Sequence, residues 1–204
     1  MEHAVADRPV ARPATPRAAA PARHDVYAFI HKAMRAAMAD ALVAVGRLDA
    51  SDARETTAVV ARLRDLLDLC HEHLETENSL VHPFMEARRP GSSAKVVDEH
   101  VAHAAAIASL RRHVEALART PAAARAGVAR DLYGELALFV GENFVHMHEE
   151  ETRHNAVLWD AYSDAEIAAL EATIRQHVAP AMMQVALHWM RAAGNPGERA
   201  LLPR

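Results

Sequence analysis

From His24 onward, apolar residues recur at alternating steps of four and three, the period of an α-helix with one buried face. The first segment carries His24, Tyr27, His31, Met34, Met38, Ala41, Val45 and Leu48 on this stripe and stops at a turn-forming Asp-Ala-Ser-Asp before Ala53. A second segment, capped by Ser51 or Asp52, carries Val59, Leu63, Leu66, Cys70, His73, Glu77, Leu80 and Phe84 and ends at Arg-Arg-Pro-Gly-Ser-Ser. The third carries Val96, His100, His103, Ile107, Leu110, Val114 and Leu117 and ends near Thr120-Pro121. The fourth carries Leu132, Leu136, Phe139, Asn143, His146 and Glu150 and continues toward Val157. Four long amphipathic segments with short connections predict an all-α protein, an antiparallel up-down-up-down four-helix bundle over residues 23–158.

A C-terminal helical extension is expected over residues 159–193. Ser163 and Glu166 form the S-x-x-E pattern of a capping box ahead of Ile167, Leu170 and Ile174. Pro180 then restarts the helix, and Met182, Met183, Leu187 and Trp189 give it an apolar stripe. These pieces are expected to cover the bundle or to form the face of a homodimer. Residues 1–22, rich in Pro, Ala and Arg, have almost nothing to bury and are expected to be a disordered tail, as are residues 194–204.

Composition supports helix: seven Gly and 4% aromatics leave a chain dominated by alanine and unbranched side chains, which lose little on entering a helix. A formal charge of −4, with both signs interspersed, lacks the basic footprint of a nucleic-acid binder. The single cysteine, Cys70, excludes an internal disulfide framework and a cysteine-rich zinc site, and fits a reducing compartment. No apolar run is long enough to span a bilayer and the first residues lack a secretory apolar region, so a cytoplasmic protein without a membrane partner is expected.

Histidine changes the picture. There are fourteen, most of them between Phe29 and Asn155, and each of the four predicted bundle helices places at least one on its apolar stripe. In the stretch HEHLETENSLVHPFME, His73 and Glu77 lie on the stripe, whereas His71 and Glu75 point about 200° away and face water. The fourth helix repeats the arrangement with His146 and Glu150, while His148 sits off the stripe. His31 or His24 on the first helix, and His100 with His103 on the third, complete the set. Spacing alone is weak, because His-x-x-x-Glu also occurs at His71/Glu75 and His82/Glu86. Two such pairs on separate apolar stripes are more specific, since a buried, unpaired carboxylate costs on the order of several kcal/mol.

A bound cation removes that cost. Imidazole and carboxylate without thiolate suit Fe, Mn or Zn, and a carboxylate from each of two helices can bridge two metals about 3.5–4 Å apart. The ferritin-like carboxylate class needs two Glu-x-x-His pairs, and this chain has one, Glu151 to His154.

These residues resemble the hemerythrin family, specifically its bacterial branch with the HHE cation-binding domain. The resemblance rests on IHKAM around His31, HLETE at 73–77, DEHVAH around His100 and HMHEEE at 146–151, and covers about residues 24–158. It implies a non-haem di-iron centre, oxo- or hydroxo-bridged, with Glu77 and Glu150 as the bridging carboxylates and Zn or Mn as alternative metals. The metal ligands it implies are His31, His73, Glu77, His100, His103, His146, Glu150 and His154, with His24 competing for the place of His31. His82, followed by Pro83, is assigned to the surroundings of the site or to the surface. Oxygen-carrying members have third-helix histidines four apart and a fourth-helix His-x-x-x-x-Asp, whereas here the spacings are His-x-x-His and His-x-x-x-Glu. That argues against reversible oxygen carriage.

The function implied is binding of O2, NO or a peroxide at an open metal position, for sensing, protection or iron handling, with Met34, Met38, Leu66, Ile107 and Phe139 limiting water. An enzyme for peroxide breakdown or NO reduction would use the same centre. A third class is a metal-stabilised helical module whose partner docks on the C-terminal helices.

Overall fold

The computed structural model describes residues 23–203, and the tail expected over residues 1–22 lies outside them. Among the described residues the chain is helical, with no strand. The first long helix, α1 (Ala28–Arg47), opens where the Asp25 carboxylate accepts the backbone N–H groups of Tyr27 and Ala28. The second, α2 (Ala53–Thr76), is capped by Asp52, whose carboxylate accepts from Arg54 and Glu55 at 2.7 and 3.1 Å. Ser51 donates instead to Asp49.

Where the sequence predicts uninterrupted helices, two π-helical turns break the α pattern. α2 passes through a π turn at Glu77–Val81 into α3 (His82–Arg88). After α4 (Ala94–Arg119), α5 (Ala122–Glu149) passes through another at Glu150–His154 into α6 (Asn155–Ala161). The backbone N–H of His82 bonds to the Glu77 carbonyl and that of Asn155 to the Glu150 carbonyl, each five residues back rather than four. The inward face therefore advances by one residue. Val81, Met85 and Leu158 are buried, while Leu80, Phe84 and Val157, inward in an unbroken α register, are half-buried.

The extension comprises α7 (Asp164–His177), opened by the Ser163–Glu166 capping box, α8 (Pro180–Ala193) and α9 (Pro196–Leu201). The last lies where disorder is expected from residue 194 on. Asn195 caps it, and Glu198 ties it to α1 through a 2.7 Å ion pair with Lys32, contacts that composition alone does not reveal.

α1 packs against α2 and α5, and α4 packs against the same two, so each of the four long helices touches two of the others. α8 lies on α1 and α2, burying Ala186 and Leu187 and pressing Met182, Val185 and Trp189 onto the main core. Full burial of a leucine of this kind stabilises the fold by about 1.5–3 kcal/mol. The apolar interior falls into two clusters. The larger contains Met34, Met38, Cys70, Leu110, Leu136 and Phe139; the smaller contains Tyr27, Val81, Met85, Leu158, Tyr162 and Ile167. Along α1, His31 lies between Tyr27 of one and Met34 of the other, and along α2, His73 and Glu77 lie between Cys70 and Val81. A polar layer thus crosses the interior. No described helix is long and apolar enough to cross a membrane.

Candidate metal centre

Glu77 and Glu150 open the two π turns, and both are buried to 2% exposure or less. Around them converge His31 from α1, His73 from α2, His100 from α4 and His146 from α5. His31 Nε2 lies 3.9 Å from Glu77 Oε1 and 3.5 Å from Glu150 Oε2, and His73 Nε2 lies 3.3 Å from Glu77 Oε1. On the other side, His100 Nε2 lies 3.5 Å from Glu77 Oε2 and 3.8 Å from Glu150 Oε1, with His146 Nε2 3.4 Å from Glu150 Oε1. Each carboxylate therefore offers one oxygen to each histidine pair. Two groups of four result, His31–His73–Glu77–Glu150 and His100–His146–Glu77–Glu150, whose ligand atoms lie within 4.8 Å of one another.

The imidazoles are aimed from behind. His31 Nδ1 donates to Glu151 Oε1 at 3.1 Å, His100 Nδ1 to Asn78 Oδ1 at 2.7 Å, and His146 Nδ1 to Glu99 Oε2 at 2.9 Å. Carbonyl and carboxylate oxygens only accept, so these contacts place a proton on Nδ1 and turn Nε2 toward the two glutamates. Partial burial works against ionisation of Glu151, but hydrogen bonds from His31 and Arg35 hold its pKa at about 2. Partial burial likewise raises Glu99, and the bond from His146 with the Lys95 charge brings it below the usual carboxylate range. Such partners of metal-bound histidines fix the tautomer and ring orientation.

The residues fit a cation and fit poorly without one. His100 Nε2 and His146 Nε2 stand 3.1 Å apart, both turned to the same point between the helices. All four oxygens of Glu77 and Glu150 are buried without a hydrogen-bond partner. Burial pushes Glu77 up to about 8, and burial together with the Glu77 charge does the same to Glu150. Burial also drives His100 down to about 4 and His73 well below the imidazole range. A divalent cation between these atoms would receive the lone pairs and balance the carboxylates, with nitrogen and oxygen ligands suited to Fe, Mn or Zn.

Six of the residues singled out from the sequence therefore meet at one level: His31, His73, Glu77, His100, His146 and Glu150. His103 stands behind His146, its ring edge-on at 4.6 Å, outside these groups. His24 is away from the cluster, bonded to Glu171 at 2.7 Å. His154 is buried beside Glu150, and with it comes His82, which the sequence reading leaves at the periphery. The π turn at Glu77–Val81 accounts for that difference: in an α-helix His82 would sit about 140° from Glu77. His148 and His71 are exposed, as their positions off the stripe require. The partners Glu151, Glu99 and Asn78 have no signal in the spacing, because none lies on a stripe.

No curated protein and no solved structure matches the chain. The family profile described as the Hemerythrin HHE cation binding domain matches residues 24–158. That span contains all four helices that carry the converging imidazoles and both carboxylates, and the chain belongs to the hemerythrin HHE cation-binding family.

Proposed function

We propose that the chain is a di-iron protein, an antiparallel up-down-up-down bundle over residues 23–158, that takes O2, NO or a peroxide at an open position of the metal pair. The observation that carries this reading is the division of Glu77 and Glu150, each presenting its two oxygens to two different histidine pairs. Bridging carboxylates of this kind suit two metals about 3.5–4 Å apart rather than one.

When bound, two redox-active irons supply electrons to a small ligand held between protein walls. The chain's own part is to aim and to exclude. His31, His100 and His146 are fixed by their rear hydrogen bonds, so the ligand set requires little reorganisation. A cavity of ≈10 Å³, lined by His73, Glu77, His100, His103, Asn143 and His146, lies within the cluster beside Met34 and Cys70. That space holds about one water at most, so little free volume remains among the ligands. A larger cavity of ≈770 Å³ runs under α8 past Ile30, Met182 and Leu187 to His73 and Glu77, an apolar approach suited to uncharged small ligands.

Elemental analysis and an optical spectrum, taken on protein produced with iron and exposed to air, test the reading. About two tightly held irons per chain with visible charge-transfer absorption are expected of a bridged pair. A folded protein that takes up neither iron, manganese nor zinc overturns it.

A further inference from the structure

His82 and His154 have no role in the two four-ligand groups, yet each is buried, to 4% and 2% exposure. Both ring nitrogens of His82 are shut away from solvent with no hydrogen-bond partner, an arrangement that destabilises the fold unless something is bound. His154 differs in one respect: its Nδ1 meets the Tyr27 hydroxyl at 3.3 Å, which leaves Nε2 for another partner. The two rings stand edge to face, centroids 5.7 Å apart, with Glu150 beside them. One ligand atom from each of His82, Glu150 and His154 lies within 4.8 Å of the others.

We propose that His82, His154 and Glu150 form a third cation position for a borderline divalent ion such as Zn2+ or Fe2+, which shares a Glu150 oxygen with the paired groups. The inference rests on the di-metal reading, because Glu150 is common to both. Its chemistry follows from the donors: two imidazoles and one carboxylate oxygen make a three-ligand set with an open position. Tyr27 plays for His154 the orienting part that Glu151 and Glu99 play for His31 and His146. A surface cavity of ≈450 Å³ lined by His82, His100, Glu75 and Glu86 brings the outside up to the His82 ring. With three protein ligands instead of four, this position fills last.

Two residues brought together by two separate π turns would otherwise be an unexplained cost. His82 follows the turn at Glu77, and His154 ends the turn at Glu150. Both turns deliver imidazole to the same oxygen-bearing side chain.

The test is zinc titration of the full chain to saturation, read as ions per chain, with anomalous diffraction at the zinc edge on the saturated crystals. The expected result is three zinc ions, one of them between His82 and His154. His82→Ala and His154→Ala should each bind two and keep the helical circular dichroism of the parent, and Tyr27→Phe should weaken only the last step, by about tenfold. Saturation at two ions in the parent chain, or an unchanged third ion in His82→Ala, overturns the third position and leaves the paired groups standing. A parent chain that binds no zinc, manganese or iron overturns both.

Discussion

Glu151 holds His31: the histidine Nδ1 lies 3.1 Å from Glu151 Oε1, across 120 residues of chain, while Arg35 grips the same carboxylate through Nη2 and Oε2 at 3.0 Å. Glu151 is the neighbour of Glu150, so one dipeptide places a carboxylate in the core and another behind an imidazole. Glu151→Ala should weaken metal binding about 10–100-fold with the fold intact. Chelator competition measures this. Glu151→Gln keeps an acceptor and should lose less; equal affinity in all three proteins would mean that His31 needs no orienting partner.

The metal-free protein should have a stability maximum near pH 6.5. Glu77 and Glu150 sit at about 8 in the folded chain against an ordinary 4.5, so the folded state keeps protons that the unfolded state has lost. Stability contributed this way falls as pH rises from about 4.5 to 8. His82, His100, His103 and His154 sit at about 4 against 6.5, so the unfolded state binds protons that the folded one refuses, and stability falls as pH drops from 6.5 to 4. Below pH 6.5 the histidines outnumber the glutamates. Thermal midpoints of chelator-treated protein between pH 5 and 8.5 should trace this maximum, and metal loading should remove the alkaline decline. A flat profile without metal would mean that water reaches the carboxylates.

Glu150→Gln separates binding from stability. The amide cannot bridge two cations as a carboxylate does, so iron content should drop to one per chain or less. Without metal, the same change removes a buried ionisable group and should raise the thermal midpoint at pH 8 above that of the metal-free parent. A lower midpoint at pH 8 would argue that the Glu150 oxygens have polar partners in solution.

Leu158→Ala and Val157→Ala test the π register. Leu158 is fully buried and its truncation should cost about 2–5 kcal/mol, whereas half-buried Val157 should cost well under that. Denaturant melts of the two variants decide. The reverse order would restore an unbroken α-helix through Glu150.

Much of this was legible in the residues, and the omissions share a cause. The stripe of the second segment is right through Glu77, and Asp52 and Ser163 announce the helices they cap. A period fitted over a whole segment averages out a single inserted residue, so it places Leu80 and Phe84 where Val81 and Met85 are buried and leaves His82 off the stripe. Pro83 was the available signal, since a proline in a helix interior removes a hydrogen bond and favours a local irregularity. Ser79 and Thr152 offer a second. Each stands two residues past its glutamate and donates its hydroxyl to a carbonyl four residues back, Glu75 and His148, at 2.7 Å. Nothing comparable marks Asn78, whose part depends on α4 bringing His100 against it. The short helix at Pro196–Leu201 does carry a local signal, the Asn195–Glu198 capping box with Pro196 at its start, and Lys32 adds a tertiary hold on Glu198.

The polar layer between the two apolar clusters makes the interior two bodies rather than one. Leu110 and Phe139 never touch the cluster of Tyr27, Met85 and Leu158; between them lie imidazoles and carboxylates that gain little from one another when bare. A cation at that level would act as a rivet, and its removal should let the smaller body, with Ile167 of α7 seated in it, open without unfolding the larger. Amide exchange at one end of the molecule would then report how full the middle is.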